Sequence, residues 1–270
     1  GPGLQPGPCP LLRSSPEAQH PPPRNPGPGL AYLRHHTGRD LTAAGASEEG
    51  QVQGLHCRGG SGMRETLEGA ARELGLHLND TQIDQLLAYL ALLQKWNKVY
   101  NLTAVRDPAQ MLSHHLVDSL SVIAPLQKHG APRRLMDVGA GGGLPGVVIA
   151  ICCPGTDVSC VDAVGKKATF IQQVTAELKL PHLHGVHSRV EQLAVEPFGV
   201  ITSRAFASLA DFTSLTRQHL AEGAVWMAMK GQHPADEIAA LPADVEVFHV
   251  EQLQVPGLDA QRCLVWMRPR

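Results

Sequence analysis

Apolar positions along this chain change their rhythm after Pro132. Before it the period is helical. Ile83, Leu86, Leu87, Leu90 and Leu93 follow the i, i+3, i+4, i+7 spacing of an amphipathic helix, and Asn79 and Asp80 supply capping oxygens ahead of it. The spacing predicts that helix, a partner over Leu67–Leu76 and a third over Pro108–Leu126, each with a core-facing stripe. Between Gln94 and Thr103 the period is lost, and Trp96, Asn97, Tyr100 and Asn101 crowd a helix end for a purpose other than packing. After Pro132 short apolar runs alternate with helical stretches, the sequence form of a parallel sheet covered on both faces. Seven strands are predicted: 134–138, 157–161, 184–187, 200–203, 224–230, 245–250 and 263–268. Helices should start near Pro145, Lys166, Val190, Leu209 and Pro234, and the parallel crossovers before Ala224 should be right-handed.

Composition divides the chain further. Residues 1–30 hold ten prolines and five glycines, and polar, low-burial sequence continues through Gly62. Ordering costs about 1–2 kcal/mol per residue, which such a stretch cannot offset by burial. Residues 1–62 are therefore expected to be a disordered extension foreign to the folded chain, because Met63 opens the first periodic sequence. Residues 63–132 would form an N-terminal helical cap and 133–270 the sheet domain. The longest apolar run, Val147–Cys153, has seven residues, against about 20 for a membrane-spanning helix. No secretory signal is recognisable. The six cysteines include no C-x-x-C pair, which suits neither a disulfide framework nor structural zinc and points to a reducing, cytoplasmic compartment. No resident metal is expected, and a monomer is the expected state.

The strongest chemical signal is Leu135-Met-Asp137-Val-Gly139-Ala-Gly141-Gly-Gly143-Leu144-Pro145-Gly146, running from the first predicted strand directly into Val147–Ala150. Glycines in a strand–turn–helix unit let the backbone reach positive φ and let a ligand approach where a Cβ would stand. Gly139, Gly141 and Gly143 are thus candidate cofactor-binding positions. Pro145 suits the first turn of the helix, whose free amides favour an anion. Gly141–Gly146 also satisfies the dinucleotide pattern G-x-G-x-x-G. Two acids sharpen the choice. Asp162 closes the next strand, 23 residues after Gly139, where a carboxylate can accept both hydroxyls of a ribose. Asp137 beside the turn would repel a pyrophosphate and attract a cationic amino group. S-adenosylmethionine carries an ammonium, a sulfonium and a ribose, so these residues lean toward methyl transfer over hydride transfer.

Several separated motifs carry a resemblance. Asp137–Gly146, Ser188-Arg-Val-Glu191, Ser203-Arg-Ala-Phe-Ala-Ser208, Lys230-Gly231 and Leu253-Gln-Val-Pro256 resemble, in that order, the bacterial small-subunit ribosomal RNA guanine-N7 methyltransferase family, also called glucose-inhibited division protein B. Lys95–Thr103 and His115-Leu-Val-Asp-Ser119 belong to the same pattern, and the resemblance covers about Met63–Arg268. It implies an α/β fold of the class I S-adenosylmethionine-dependent type, Rossmann-like with a seven-stranded mostly parallel sheet. It also implies S-adenosylmethionine as donor and a guanine in the 530 loop of 16S rRNA as acceptor. By position, Gly139 and Leu144 would border the methionine part, Asp162 the ribose, Val190 and Glu191 the adenine, and Arg204 the reactive side. Asn101, His115, Lys166, Arg189 and Arg262 match polar positions facing the RNA cleft. Ala140, Gly142 and Cys263 fall where relatives vary and carry no role.

Guanine N7 presents a lone pair at neutral pH, so its methylation needs no base, and placement against the methyl group supplies most of the acceleration. Arg204 or Arg189 is expected to bond guanine O6 or a phosphate and orient N7. A thiolate mechanism lacks its residue, because Cys152 and Cys153 lie on an apolar run. His182, His184 and His187 have no acid or thiol spaced with them as a fourth metal ligand. The residues alone leave open an NAD-dependent oxidoreductase, a cofactor-binding module without catalysis, and a methyltransferase for another RNA or a small molecule. Charge adds a constraint. Beyond residue 62 the chain has 18 basic and 21 acidic side chains, so bulk attraction to RNA is absent. Contact must rest on a local cluster drawn from Lys166, Lys167, Arg189, Arg204, Lys230 and Arg262, and the expected substrate is the small ribosomal subunit rather than naked RNA.

Overall fold

The computed structural model describes Gly1, residues 53–204 and residues 206–270, with residues 53–61 described by backbone alone. Most of the expected disordered extension lies outside the described residues. Its last part differs from expectation, because helix α1 (Gln53–Glu73) begins upstream of Met63. Gly54, Gly59, Gly60 and Gly62 fall in that stretch, and each glycine costs a helix about 1 kcal/mol against alanine, so no helix is legible there.

Helix α2 (Asp80–Tyr100) starts as predicted. Asn79 Oδ1 accepts from the Gln82 N–H, and Gln82 Oε1 accepts from the Asn79 N–H, a reciprocal cap. The predicted helix over Pro108–Leu126 is instead a broken run: α3 (Pro108–Met111), a π-helical turn (Leu112–Val117), α4 (Asp118–Leu120) and α5 (Ile123–Gly130). Pro125 has no N–H to donate to Ser121, so the run breaks just ahead of α5. The wide π turn, a frequent device at functional sites, falls where His115 sits.

All seven predicted strands form: β1 (Arg134–Val138), β2 (Asp157–Asp162), β3 (Leu183–His187), β4 (Phe198–Ser203), β5 (Leu220–Lys230), β6 (Val245–Leu253) and β7 (Arg262–Pro269). They make one sheet in the order β3-β2-β1-β4-β5-β7-β6, with β7 antiparallel to both neighbours and the other pairs parallel. Helices α6 (Gly146–Cys152), α7 (Gly165–Leu178), α8 (Leu209–Thr216) and α9 (Ala235–Ala239) connect the strands. The helix expected near Val190 is a single 3-10 turn.

Alternation along the strands explains the two cores. Leu135, Val200, Val225, Met227, Leu264 and Trp266 face a core shared with α1, α2, α6 and α7. Met136, Ile201, Trp226, Ala228 and Val265 face a second core with α8. Successive side chains of a strand point to opposite faces, and a sheet covered on both sides buries each of them. Full burial of one Leu or Val side chain contributes about 1.5–3 kcal/mol. Helix α2 is joined to the sheet domain by more than apolar contact: Gln82 Nε2 donates to Ile151 O at 3.1 Å and Gln85 Nε2 to Leu178 O at 3.0 Å. Among the described residues, no helix is long and apolar enough to cross a membrane.

Candidate active site

The glycine turn is held from three sides. Gly139 N–H donates to Val161 O at 2.9 Å, which fixes the turn to β2. Gly141 takes a φ of +59°, disfavoured for residues with a Cβ, and its N–H donates to Asp162 Oδ2 at 3.0 Å. From the helical side, the buried Tyr89 hydroxyl donates to Gly142 O at 2.6 Å. At the end of the turn Gly146 N–H donates to Asp137 Oδ2 at 2.8 Å. A Cβ on Gly146 would meet Cys160 Sγ and stand 2.8 Å from that same Asp137 oxygen, so only glycine fits. Pro145 is the residue just ahead of α6 rather than its first helical residue.

Asp137 is fully buried, and burial pushes its carboxyl up to about 7 against the lowering effects of the Gly146 N–H and the Arg204 charge. Its Oδ1 has no partner, and neither does the buried Ser203 Oγ at the end of the adjacent strand β4. Asp162 is 5% exposed. Besides Gly141, it accepts from the Val164 N–H at 2.9 Å and stands 3.5 Å from Lys167 Nζ.

Two cavities open side by side at the carboxyl ends of the parallel strands. One, of about 530 Å³, is lined by Gly139, Asp162, Arg189, Val190, Glu191 and Phe206 among others. Its size and its mix of apolar wall with a few polar groups suit a nucleoside-sized ligand. The other, of about 380 Å³, is lined by His115, Asp118, Arg204, Met229, Lys230 and Arg262 among others. The strand order reverses between β1 and β4, the switch point where doubly wound sheets bind ligands. A larger hollow of about 970 Å³ lies over α1 and the π turn, lined mainly by small and apolar side chains such as Met63, Ala70 and Leu112. It shares His114 with the cationic cavity and reaches Pro256 and Gly257 in the loop after β6.

Asp118 organises the smaller cavity. It is 2% exposed. Arg262 Nε donates to its Oδ1 at 2.8 Å, and Arg204 Nη1 lies 3.6 Å from its Oδ2. Lys230 Nζ is held by both oxygens of Glu237 at 3.0 and 2.8 Å. His115 Nε2 lies 2.5 Å from Thr103 Oγ1, while its buried Nδ1 has no partner. Burial, together with the nearby Arg204 charge, lowers the imidazole to about 4, so it is neutral at physiological pH.

The family model described as rRNA small subunit methyltransferase G matches residues 82–265. A protein of that name from Leptothrix cholodnii is 67% identical over 209 residues, covering 77% of this chain and 96% of its own length. Another, from Acidovorax ebreus, is 63% identical over 217 residues with the same shares covered. The chain belongs to this methyltransferase family. Among solved structures, the N-methyltransferase NodS of Bradyrhizobium japonicum in complex with S-adenosyl-L-homocysteine is 15% identical, with a TM-score of 0.47, covering 65% of this chain and 98% of that one.

In this family member the predicted positions separate into groups. Gly139, Asp162, Arg189, Val190 and Glu191 line the nucleoside-sized cavity of about 530 Å³. His115, Arg204 and Arg262 line the cationic one. Asp137, Gly141, Gly143 and Leu144 line neither and instead build the turn beneath them, with Leu144 3% exposed. Asn101 and Lys166 are exposed outside both cavities, Asn101 Oδ1 accepting from Arg106 Nη2 at 2.9 Å. Asp118 and Tyr89 were not among the predicted site residues. The three-residue step from His115 to Asp118 signals one helix face, but nothing in the sequence announces that Arg204 and Arg262, far along the chain, are the partners of Asp118. The Cys152 and Cys160 thiols are buried and pushed up by desolvation, which leaves no thiolate nucleophile there. His182, His184 and His187 bond separate acceptors, Ala150 O, Asp157 and Ala163 O.

Proposed function

We propose that this methyltransferase, acting as a cytoplasmic monomer, transfers a methyl group from S-adenosylmethionine to N7 of a guanine in the 530 loop of 16S rRNA within the small ribosomal subunit. The observation that carries it is the pairing of a nucleoside-sized cavity with a cationic one at the sheet's switch point. The atom and the loop rest on the family resemblance. S-adenosylmethionine supplies an electrophilic methyl group on a sulfonium.

The chain's own residues fit that donor. Asp162 offers remaining lone pairs to a ribose, and Val190, Phe206 and Leu215 offer apolar wall to an adenine beside Glu191. The unpartnered Asp137 Oδ1 and Ser203 Oγ mark the polar floor between the cavities. Arg204 is the natural orienting group for the acceptor, since Asp118 and His114 O aim its guanidinium into the cationic cavity. A guanine O6 or a phosphate satisfies its remaining donors. His115, lowered to about 4, is a weak base, and N7 requires none.

Transfer of labelled methyl to small subunits lacking N7-methylguanine, with modified subunits as control and strand scission to locate the label, tests the reading. Label at one guanine of the 530 loop is expected. Label elsewhere, or in the control, refutes it, and equal labelling of protein-free 16S RNA refutes the preference for the assembled subunit. Arg204→Ala and Arg189→Ala that both leave transfer and cofactor affinity unchanged would remove the orienting role.

A further inference from the structure

We propose that the C-terminal end of α2 and the first turn of α7 form a stacking platform for single-stranded RNA next to the methylated guanine, an inference that rests on the function proposed above. Five large apolar side chains are exposed among the described residues, and three of them gather here: Val99 (70%) and Tyr100 (40%) at the end of α2, and Val164 (40%) at the cap position just ahead of α7. The helices are antiparallel. Gln85 meets Leu178 at one end, and the Trp96 ring lies 5.5 Å from Phe170 toward the other. That direction brings Tyr100 level with the start of α7. Trp96 backs the Tyr100 ring at a centroid distance of 5.1 Å, so the exposed face has a fixed aromatic support.

Charge completes the surface. Lys95, Lys98 and Lys166 are exposed around the apolar strip. Between Asp84 and Asp118 the sole acid is Asp107, and residues 163–176 hold none. On a folded chain with more acids than bases, this is a local cationic field. An exposed aromatic ring flanked by apolar side chains and edged by lysines matches nucleic-acid bases and their phosphates, since every base has a π face. A protein partner would use the apolar strip without needing the surplus of lysines.

The platform is wired to the cationic cavity. Asn97, in the last turn of α2, accepts from the Thr103 N–H at 2.8 Å and donates to Val105 O at 3.0 Å. Thr103 contacts His115, and Val105 lines the cavity itself. A nucleotide stacked on Tyr100 therefore lies along the rim leading to the target base. This also gives Lys166, left outside both cavities, a role.

Filter binding of unmethylated small ribosomal subunits, over a range of salt concentrations, tests the platform without relying on catalysis. Tyr100→Ala is expected to weaken binding about fivefold or more, with Tyr100→Phe restoring it. Lys95→Glu with Lys166→Glu is expected to weaken it about tenfold and flatten the salt dependence. Lys128→Glu, exposed in α5 at the opposite edge of the sheet, should bind like wild type. Unchanged affinity for S-adenosylmethionine in every variant reports an intact fold. Wild-type binding by Tyr100→Ala overturns the proposal. Weakened binding with an unchanged salt slope in the lysine pair also overturns it and assigns the surface to a protein. Wild-type protein that binds subunits yet transfers no methyl group removes the functional reading while the platform stands.

Discussion

Tyr89→Phe removes one oxygen atom from the core and tests whether the helical segment supports the cofactor turn. The Tyr89 ring is fully buried, and its hydroxyl donates to Gly142 O at 2.6 Å. Burial raises the phenol well above its ordinary value, so the group stays a donor at every accessible pH. Phenylalanine keeps the ring and its packing near Phe170, 6.4 Å between centroids. Its one effect is to strip a buried carbonyl of its side-chain donor. Leaving such a group unsatisfied costs about 1–3 kcal/mol, or about a fivefold to hundredfold change in an equilibrium constant. Because Gly142 lies between Gly141 and Gly143 in the turn, part of that cost should appear in cofactor binding. Urea unfolding gives the loss of stability, and calorimetric titration with S-adenosylmethionine gives the loss of affinity. A variant within about 0.3 kcal/mol of wild type in both would refute the idea that α2 braces the turn; substitutions away from such features stay within about 0.5 kcal/mol.

Gly146→Ala places a Cβ against Cys160 Sγ and 2.8 Å from Asp137 Oδ2; a loss of about 3 kcal/mol or more in urea unfolding is expected, and a stable alanine variant would show that α6 can slide. Asp137→Asn tests the buried acid through pH. The carboxyl rises from 3.8 to about 7 on folding, so between those values the native state holds a proton that the unfolded chain has released. Stability therefore falls as pH rises through that window, by at most about 4 kcal/mol. His115, lowered to about 4, acts oppositely and loses stability as pH falls below about 6.5. The difference between wild type and Asp137→Asn in unfolding at pH 5 and pH 8 isolates the aspartate, and a difference independent of pH would contradict its assignment. Asp118→Asn removes the charge that gathers Arg204 and Arg262, each about a quarter exposed; KM for small subunits should rise about tenfold, on the scale of one charge-assisted hydrogen bond, with cofactor affinity kept. Steady-state kinetics showing wild-type KM would leave Asp118 a packing residue.

The strands were legible because a parallel sheet buries both faces, which turns each strand into a short apolar run bounded by polar turns. The glycine turn was legible because its backbone geometry demands a residue type. The break in 108–130 was half-visible: Pro125 marks it, but the π turn around His115 follows from packing on neighbouring elements that no local pattern encodes. Tyr89 falls on the helical stripe with Ile83, Leu86 and Leu90, so its polar tip is masked by its apolar body. Asp118 is hidden for another reason. Its partners Arg204 and Arg262 come from the end of β4 and the start of β7, and only the folded sheet brings those ends together. Only the resemblance sets Lys166 and Asn101 at the cleft; both are exposed and neither lines the two cavities at the strand ends.

The charge pattern links these findings. In the cationic cavity Arg204 and Arg262 share one acid, Asp118, and Lys230 is matched by Glu237. With His115 neutral, the group carries one net positive charge. One cation in excess holds about one phosphate, which is weak attraction for naked RNA at physiological salt, where each such contact contributes a salt slope of about 0.7–0.9. Positioning a base needs something different: donors fixed in direction, which the shared carboxylate and the His114 carbonyl impose on Arg204. The site thus spends its arginines on orientation rather than on bulk affinity. Affinity must come from elsewhere on the surface or from the shape of an assembled particle, which is why the exposed Tyr100 ring and the lysines at the end of α2 matter to the same reaction.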